Sequence, residues 1–253
     1  MRLFFLIGLL SIVANAKIHT ESVLYKEGDT TLEGFVAYDT QKTNKRPGVL
    51  IVHEWTGLGD YVKRRATELA KLGYVAFAAD IYGQGVRPAQ SEAGKVSSLY
   101  KSNRTLFRAR LTAALNELKK QKYLNSKIAA IGYCFGGTGV LELARSGADI
   151  QGVVSFHGGL NTPNAEDAKN IKAKVLVLHG ADDPYVPGTE LKAFEDEMNA
   201  AKVDWQLVKY SGAVHAFTNT AAGNDVTLGA AYNEKADHRS WVAMLAFFTE
   251  LFK

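Results

Sequence analysis

The chain has 253 residues, with 30 lysines and arginines against 26 aspartates and glutamates, and its formal net charge is +4. This length suits a single α/β domain with a substantial core. Because the charge excess is small and the lysines are scattered, the composition argues against a protein that binds nucleic acids or acidic membranes.

The first 16 residues are predicted to be a secretory signal peptide. Arg2 precedes an apolar run over residues 3–13, which closes with the small-x-small sequence of residues 14–16 before Lys17. The run is too short for an ordinary membrane span. The alternative to a cleaved signal peptide is an uncleaved N-terminal anchor. We therefore expect an exported protein, periplasmic or secreted, whose folded domain covers residues 17–253. We expect no membrane span after signal removal, and we expect a monomer.

Strand patterns follow one another along this domain. Residues 31–38 alternate apolar and polar side chains, as an antiparallel edge strand does. Residues 48–53 are continuously apolar, as expected of a strand that is covered on both faces. Five further strands are predicted over residues 74–79, 127–133, 152–156, 174–179 and 205–210.

Helical periodicity fills the intervals between the strands. Apolar side chains recur at helical spacing over residues 62–70, 107–118, 139–145, 188–200 and 241–252. Strands that alternate with helices predict an α/β fold, with a mostly parallel, doubly wound sheet and helices on both faces. In such sheets the reactive residues gather beyond the carboxyl ends of the strands.

The single cysteine lies in the sequence Gly132-Tyr133-Cys134-Phe135-Gly136-Gly137, between a predicted buried strand and a predicted helix. This layout is that of the nucleophile elbow of α/β-hydrolases, with a thiol in place of the usual hydroxyl. The glycines relieve crowding where a strand turns sharply into a helix. A buried structural cysteine is the alternative.

Two carboxylates and a histidine follow later strands. Asp182 and Asp183 come after the strand at 174–179, and His215 comes after the last strand. The order nucleophile, acid, histidine is that of α/β-hydrolases, and a thiol needs a nearby imidazole to take its proton. We prefer Asp183 as the acid and interpret Asp182 as a turn or cap residue.

Other polar residues also stand at strand ends. Glu54 ends a buried strand, where a charge must be paired or face a cleft. Similar places are occupied by His53, His157 and His179. Two roles are open for these histidines: they support the site, or they satisfy backbone groups. No run of His, Cys and acidic residues has metal-ligand spacing, so we expect no metal and no organic cofactor.

From about Gly48 to its C-terminus, the chain resembles the dienelactone hydrolase family of α/β-hydrolases, the carboxymethylenebutenolidases. The motifs that carry the resemblance are His53-Glu54-Trp55-Thr56-Gly57, Ala79-Asp80-Ile81-Tyr82-Gly83, Gly132-Tyr133-Cys134-Phe135-Gly136-Gly137, His179-Gly180-Ala181-Asp182-Asp183 and His215-Ala216-Phe217.

The resemblance implies an ester or lactone hydrolase of a small-molecule substrate. It implies that Cys134 is the nucleophile of a triad with Asp183 and His215. It also implies that Glu54 helps to generate the thiolate when substrate binds. The backbone amides of Phe135 and Trp55 would then form the oxyanion hole.

The chain departs from the family at two places. Members that cleave dienelactone hold the substrate carboxylate with two arginines, where this sequence has Gln84 and Asn219. Because an amide does not neutralise an anion, we expect a preference for neutral substrates unless Arg87 or Arg104 supplies the cation from another angle.

Two other classes of protein compete with this interpretation. One is a hydrolase-fold binding protein without ester turnover. The other is a thiol redox protein that uses Cys134, although the sequence has no second cysteine to resolve an oxidised thiol.

Overall fold

The computed structural model describes residues 16–253, which fold around one eight-stranded sheet. Residues 1–15, most of the predicted signal peptide, lie outside the described residues. The strands are β1 (Ile18–Glu27), β2 (Thr30–Asp39), β3 (Arg46–Val52), β4 (Val75–Ala79), β5 (Leu124–Tyr133), β6 (Gly152–Phe156), β7 (Lys174–Gly180) and β8 (Trp205–Tyr210). The helices are α1 (Asp60–Lys71), α2 (Gln90–Ser102), α3 (Arg104–Lys119), α4 (Phe135–Arg145), α5 (Gly188–Ala200) and α6 (Glu234–Leu251).

The strand order in the sheet is β1-β2-β4-β3-β5-β6-β7-β8. The pairs β1–β2 and β2–β4 are antiparallel, and every later pair is parallel. The predicted mostly parallel, doubly wound fold is therefore confirmed. The reversal of order between β4 and β3 is the usual sign of a doubly wound sheet, because successive crossovers then lie on opposite faces.

The prediction that residues 31–38 form an edge strand is wrong. The strand is antiparallel, but β1 pairs along its whole outer side, from Ile18 opposite Asp39 to Glu27 opposite Thr30. A tight turn at Gly28, whose φ is +54°, returns the chain from β1 into β2. From Thr31 to Val36 the residues of β2 alternate between half-buried and buried.

Two apolar layers bury the central strands on both faces. On β3, Leu50 and Val52 face the layer that contains α3, α4 and α5, whereas Val49 and Ile51 face the layer of α1 and α6. All four side chains are fully buried. This explains why residues 48–53 are continuously apolar, since neither face of the strand meets water.

Parallel pairing places the carboxyl ends of β3, β5, β6, β7 and β8 along one edge of the sheet. The segments that follow these strands carry the candidate residues Glu54, Cys134, His157, Asp183 and His215. Residues from distant parts of the sequence thus meet at one place. Within residues 16–253, no helix is both long enough and apolar enough to cross a membrane.

Candidate active site

Cys134 occupies the turn between β5 and α4 in a strained backbone conformation. Its φ is +54° and its ψ is −114°, a region that residues with a side chain rarely adopt. A Cβ built on Gly132 would lie 2.0 Å from the carbonyl oxygen of Gly136, and one on Gly136 would lie 2.2 Å from that of Val52. The two glycines are therefore sterically required for this turn, which leaves Cys134 half-buried at the start of α4.

Asp183 and His215 form a hydrogen-bonded pair beside this turn. The Nδ1 atom of His215 is 2.8 Å from Oδ2 of Asp183. The other carboxylate oxygen of Asp183 accepts a hydrogen bond of 2.9 Å from the backbone N–H of Tyr185, which fixes the orientation of the carboxylate. Asp182 is exposed instead, and its backbone N–H donates to the carbonyl of Ala213. Of the two aspartates, the structure thus places Asp183 against the imidazole.

The pKa of His215 depends on both Asp183 and Cys134. Burial by itself would lower the pKa of His215. The charge of Cys134 and the hydrogen bond that His215 donates to Asp183 outweigh this effect and raise the pKa to about 10. The imidazole is therefore held in its protonated form by the carboxylate of Asp183 and by the charge of Cys134.

Glu54 reaches the same region from the end of β3. Its Oε2 accepts a hydrogen bond of 2.6 Å from Nδ2 of Asn219. Burial raises the pKa of Glu54 above its ordinary value, while Asn219 and the charge of His215 act in the opposite direction. A carboxylate thus lies near the imidazole, and its hydrogen-bond donor is an amide rather than the thiol.

The amides of Trp55 and Phe135 lie on the two turns that border Cys134. Phe135 is the first residue of α4, where backbone N–H groups have no partner inside the helix. The turn that holds Trp55 is fixed by a hydrogen bond from the Gly57 amide to the Glu54 carbonyl, and the Trp55 carbonyl accepts from the Tyr82 hydroxyl at 2.9 Å. Hydrogen bonds thus hold the turn that contains Trp55, and Phe135 directly follows Cys134 at the start of α4.

His157 is fully buried and contacts the backbone of the elbow. Its Nδ1 lies 3.2 Å from the backbone nitrogen of Cys134, which also donates to the Phe156 carbonyl. Because Nδ1 accepts, the ring proton is on Nε2, which donates to the hydroxyl of Thr218 at 2.7 Å. Burial and the charge of His215 lower the pKa of His157 well below its ordinary value, so this imidazole is neutral.

His53 and His179 are the other histidines at strand ends, and both are buried. His53 donates to the Glu54 carbonyl at 2.6 Å and accepts from the Ile81 amide at 3.3 Å. Burial lowers its pKa to about 4. Burial also lowers the pKa of His179, whose Nδ1 has no hydrogen-bond partner in residues 16–253. His53 thus satisfies backbone groups, which was one of the two roles left open by the sequence.

The four residues considered for substrate charge occupy different places. Gln84 is exposed, and Asn219 holds Glu54. Arg87 is engaged with the protein itself, because it donates to the carbonyls of Leu58 at 2.6 Å and Val86 at 2.8 Å. Arg104 lines a cavity. Within the described part of the chain, no three His, Cys, Asp or Glu side chains form a group that could hold a metal ion.

Known proteins resemble the chain over nearly its whole length. The model of the dienelactone hydrolase family matches residues 32–252. The crystal structure of a dienelactone hydrolase-like promiscuous phosphotriesterase, P91, from metagenomic libraries is 43% identical, covers 93% of this chain and 99% of its own, and superposes with a TM-score of 0.90.

More distant relatives agree. Protein usf of Aquifex pyrophilus is 29% identical over 236 residues, which are 91% of this chain and 98% of the relative. A dienelactone hydrolase from Anabaena variabilis, 20% identical with a TM-score of 0.62 and coverage of 93% and 99%, shares the fold. The chain therefore belongs to the dienelactone hydrolase family, the α/β-hydrolases that act on esters and lactones.

Proposed function

We propose that this hydrolase cleaves small esters or lactones by covalent catalysis, with Cys134 as nucleophile, His215 as acid and base, and Asp183 as the residue that orients the imidazole. The observation that carries the proposal is the position of His215. Its Nδ1 is hydrogen-bonded to Asp183 at 2.8 Å, and the charge of Cys134 on the strained elbow helps to raise the pKa of the ring.

In the acylation step, the sulfur of Cys134 attacks the substrate carbonyl carbon after its proton has passed to His215. The carbonyl oxygen becomes an oxyanion, and the backbone amides of Trp55 and Phe135 stabilise it. The tetrahedral intermediate collapses to a thioester when the C–O bond to the alcohol breaks. The leaving oxygen takes the proton from His215, so that the imidazole is neutral again.

Deacylation repeats these events with water. The neutral His215 takes a proton from a water molecule, and the hydroxide attacks the thioester carbonyl. Collapse of the second tetrahedral intermediate breaks the C–S bond and releases the carboxylic acid, and the proton on His215 returns to the sulfur of Cys134. Asp183 stays ionised and holds the Nδ1 proton throughout, so that Nε2 is the nitrogen that exchanges protons.

Glu54 assists the first proton transfer in this proposal. Its carboxylate lies close enough to His215 for their charges to interact, and Asn219 holds it in place. A negative charge in this region favours the protonated imidazole and so favours formation of the thiolate. The family resemblance assigns the same role to this glutamate.

The two neighbouring aspartates allow a matched experiment. Asp183→Asn and Asp182→Asn remove the same charge one residue apart, but only Asp183 contacts His215. With a panel of p-nitrophenyl esters and five- and six-membered lactones, Asp183→Asn should lower kcat by about 1,000-fold or more, because the imidazole loses the correct tautomer. Asp182→Asn should keep wild-type kcat. Equal losses in the two variants, or turnover by neither wild type nor variant, would overturn the proposal.

A second activity deserves a test because of the relative with 43% identity, which is described as a promiscuous phosphotriesterase. Attack of the Cys134 sulfur on a phosphotriester would form an S-phosphoryl cysteine and expel the alcohol, and water would then cleave the S–P bond to release a phosphodiester and restore the thiol. We propose that the chain also turns over an activated triester such as paraoxon. Release of p-nitrophenol by wild type and not by Cys134→Ala would support this activity.

Export of a monomer is the remaining proposal. The export part of this proposal rests on the basic, apolar and small-residue order of the first 16 residues. N-terminal sequencing of the protein secreted by its native host should begin at Lys17, and light scattering should give the mass of one chain. A protein that keeps residues 1–16 would be anchored or retained instead.

A further inference from the structure

A chain of hydrogen-bonded side chains runs from the backbone of Cys134 to α1, and none of its members takes part in the proposed chemistry. His157 forms the first link, since its ring lies between the Cys134 amide and the hydroxyl of Thr218. The hydroxyls of Thr218 and Tyr61 are 2.6 Å apart, so that one donates to the other. Arg65 ends the chain, with its Nε 3.4 Å from the Tyr61 hydroxyl and its Nη2 3.2 Å from the Thr218 carbonyl. Because His157, Thr218 and Arg65 are buried, these groups depend on one another for their hydrogen bonds.

Thr218 belongs to the histidine loop, which we define as residues 211–219 between β8 and the next helical turn. It follows His215 by three positions and directly precedes Asn219, which holds the carboxylate at the end of β3. The ring of His157 also packs edge-on against that of His215, with a centroid distance of 5.3 Å. The hydrogen bond between His157 and Thr218 therefore joins the strained elbow directly to the loop that carries the proposed acid and base.

Arg65 fixes the other side of Thr218. Its guanidinium pairs with Asp237 of α6 and with Glu68 of α1, the latter at 3.0 Å. The same guanidinium lies over the ring of Trp241, 5.0 Å from its centroid. An arginine that is held by α1 and α6 thus donates to the backbone of the histidine loop, and both helices set the position of Thr218.

Three strained backbone positions adjoin this chain. The φ angle is +54° at Cys134, +39° at His157 and +56° at Ala216. Apart from glycines, Lys202 is the one other residue with a positive φ in the described part of the chain. Such conformations are uncommon for residues with a Cβ, and they persist only where the surrounding contacts hold them. The bond between His157 and Thr218 connects the segments in which this strain is concentrated.

We propose that His157 and Thr218 are positioning residues, whose hydrogen bond holds the thiol of Cys134 and the imidazole of His215 in the geometry that proton transfer requires. This inference rests on the proposed hydrolysis at Cys134. Neither positioning residue gives or takes a proton in the reaction. A displacement of about 1 Å between reacting groups can cost roughly 100-fold in rate, so this link affects turnover without touching substrate.

An imidazole suits this position because it offers an acceptor and a donor on one rigid ring. Nδ1 of His157 faces an N–H group and Nε2 faces a hydroxyl, which the neutral ring with its proton on Nε2 satisfies. Burial and the charge of His215 keep the pKa of His157 well below its ordinary value, so the ring stays neutral at neutral pH.

The first test compares two substitutions of Thr218. Thr218→Val keeps the shape of the side chain and removes the hydroxyl, whereas Thr218→Ser keeps the hydroxyl. With p-nitrophenyl acetate, and with kcat expressed per folded molecule, Thr218→Val should lower kcat about 10- to 100-fold at a nearly unchanged KM. Thr218→Ser should stay within about threefold of wild type. A valine variant that loses stability but keeps kcat per folded molecule would contradict the proposal, as would equal losses of kcat in the two variants.

Thr67→Val is the matched control. The Thr67 hydroxyl donates to the carbonyl of Lys63 at 2.9 Å, inside α1. Its removal takes away the same group from the helix that carries Arg65 without breaking the chain. This variant should keep the wild-type kcat, and a loss as large as that of Thr218→Val would show that any missing hydroxyl has the same effect.

His157→Asn breaks the link from the other side, and asparagine tolerates a positive φ. It should lower kcat at least as much as Thr218→Val, which keeps the proposal testable if the valine variant does not fold. Because both substitutions remove one bond, the double variant should lose no more than about threefold beyond His157→Asn alone. Losses that multiply would show independent roles and overturn the link.

Alkylation of Cys134 by iodoacetamide separates failure of this link from failure of the proposed hydrolysis, because it requires no ester turnover. A thiol that loses its imidazole partner stays protonated to higher pH. The midpoint of the rate–pH profile should therefore rise by about one pH unit or more in Thr218→Val, and should not move in Thr218→Ser or Thr67→Val. This shift in a chain that hydrolyses no ester would support the link and overturn the proposed function. An unshifted midpoint would overturn the link even if wild type hydrolyses esters.

Discussion

Replacing Asn219 by aspartate should move the acid limb of the pH profile of kcat/KM to higher pH. In the proposed mechanism Glu54 acts as a carboxylate, so the limb reports its pKa. Asn219 donates to that carboxylate at 2.6 Å, and a hydrogen bond to a charged group typically contributes about 1.5–3 kcal/mol. Its loss corresponds to an upward shift of roughly one to two pH units.

Aspartate is the informative replacement because it removes the donor and keeps the acceptor oxygen. The side-chain oxygen Oδ1 of Asn219 accepts a hydrogen bond of 3.0 Å from the Ala221 amide, and an aspartate oxygen can still do so. The new carboxylate also lies against Glu54, and repulsion between like charges acts in the same direction as the lost donor.

The assay is kcat/KM for a neutral p-nitrophenyl ester between pH 4 and 8, with Glu54→Gln as the reference background. Glu54→Gln should abolish the limb and slow the alkylation of Cys134 by iodoacetamide, because a charge that favours the thiolate is gone. Asn219→Asp should move no limb in that background. An unchanged limb in the single variant, or the same shift in both backgrounds, would show that Glu54 does not control the reaction.

Three further predictions concern stability, each measured by urea unfolding. Gly132→Ala should destabilise the fold by more than about 3 kcal/mol, because its Cβ would lie 2.0 Å from the Gly136 carbonyl; near-native stability would contradict the elbow geometry. Arg145→Met should cost about 3–5 kcal/mol, since the fully buried guanidinium pairs with Glu197 at 2.7 Å and 2.8 Å, and a loss below about 1 kcal/mol would contradict this. The pKa of His53 is about 4 when folded against 6.5 ordinarily, so only the unfolded chain takes up this proton as the pH falls from 6.5 to 4. The difference in pKa contributes about 3 kcal/mol to the free energy of unfolding above pH 6.5, and this contribution is lost as the pH falls toward 4. In His53→Gln this pH-dependent loss of stability should vanish. An equal loss of stability at low pH in that variant would contradict the assignment.

Much of the fold could be predicted because its cause is local. The apolar run at 48–53 and the helical spacing at 188–200 each reflect burial on defined faces, and the structure has β3 and α5 there. Two elements were missed. In β1 most side chains are exposed or half-buried, so the apolar signal is weak, although the Gly28-Asp29 turn before β2 is a hairpin signal. In α2 only Ala93, Ser97 and Tyr100 are buried.

The candidate site could be predicted as a set of residues but not as a set of contacts. The elbow glycines and the order of Cys134, Asp183 and His215 are visible along the chain, since each follows a strand. The bond from Asn219 to Glu54 joins residues 165 positions apart, and that between His157 and the Cys134 amide spans 23. Such pairings depend on how loops meet above the sheet, which no local pattern encodes.

The most direct test of the account is to trap the acyl-enzyme. Wild type mixed with p-nitrophenyl acetate and quenched in acid should carry one acetyl group, mapped by peptide mass spectrometry to the peptide that contains Cys134. The variant Cys134→Ala should carry none and should lose at least about a thousandfold in kcat. An acetyl group on another residue, or an alanine variant that keeps a tenth of the activity, would contradict the assignment of Cys134 as the nucleophile.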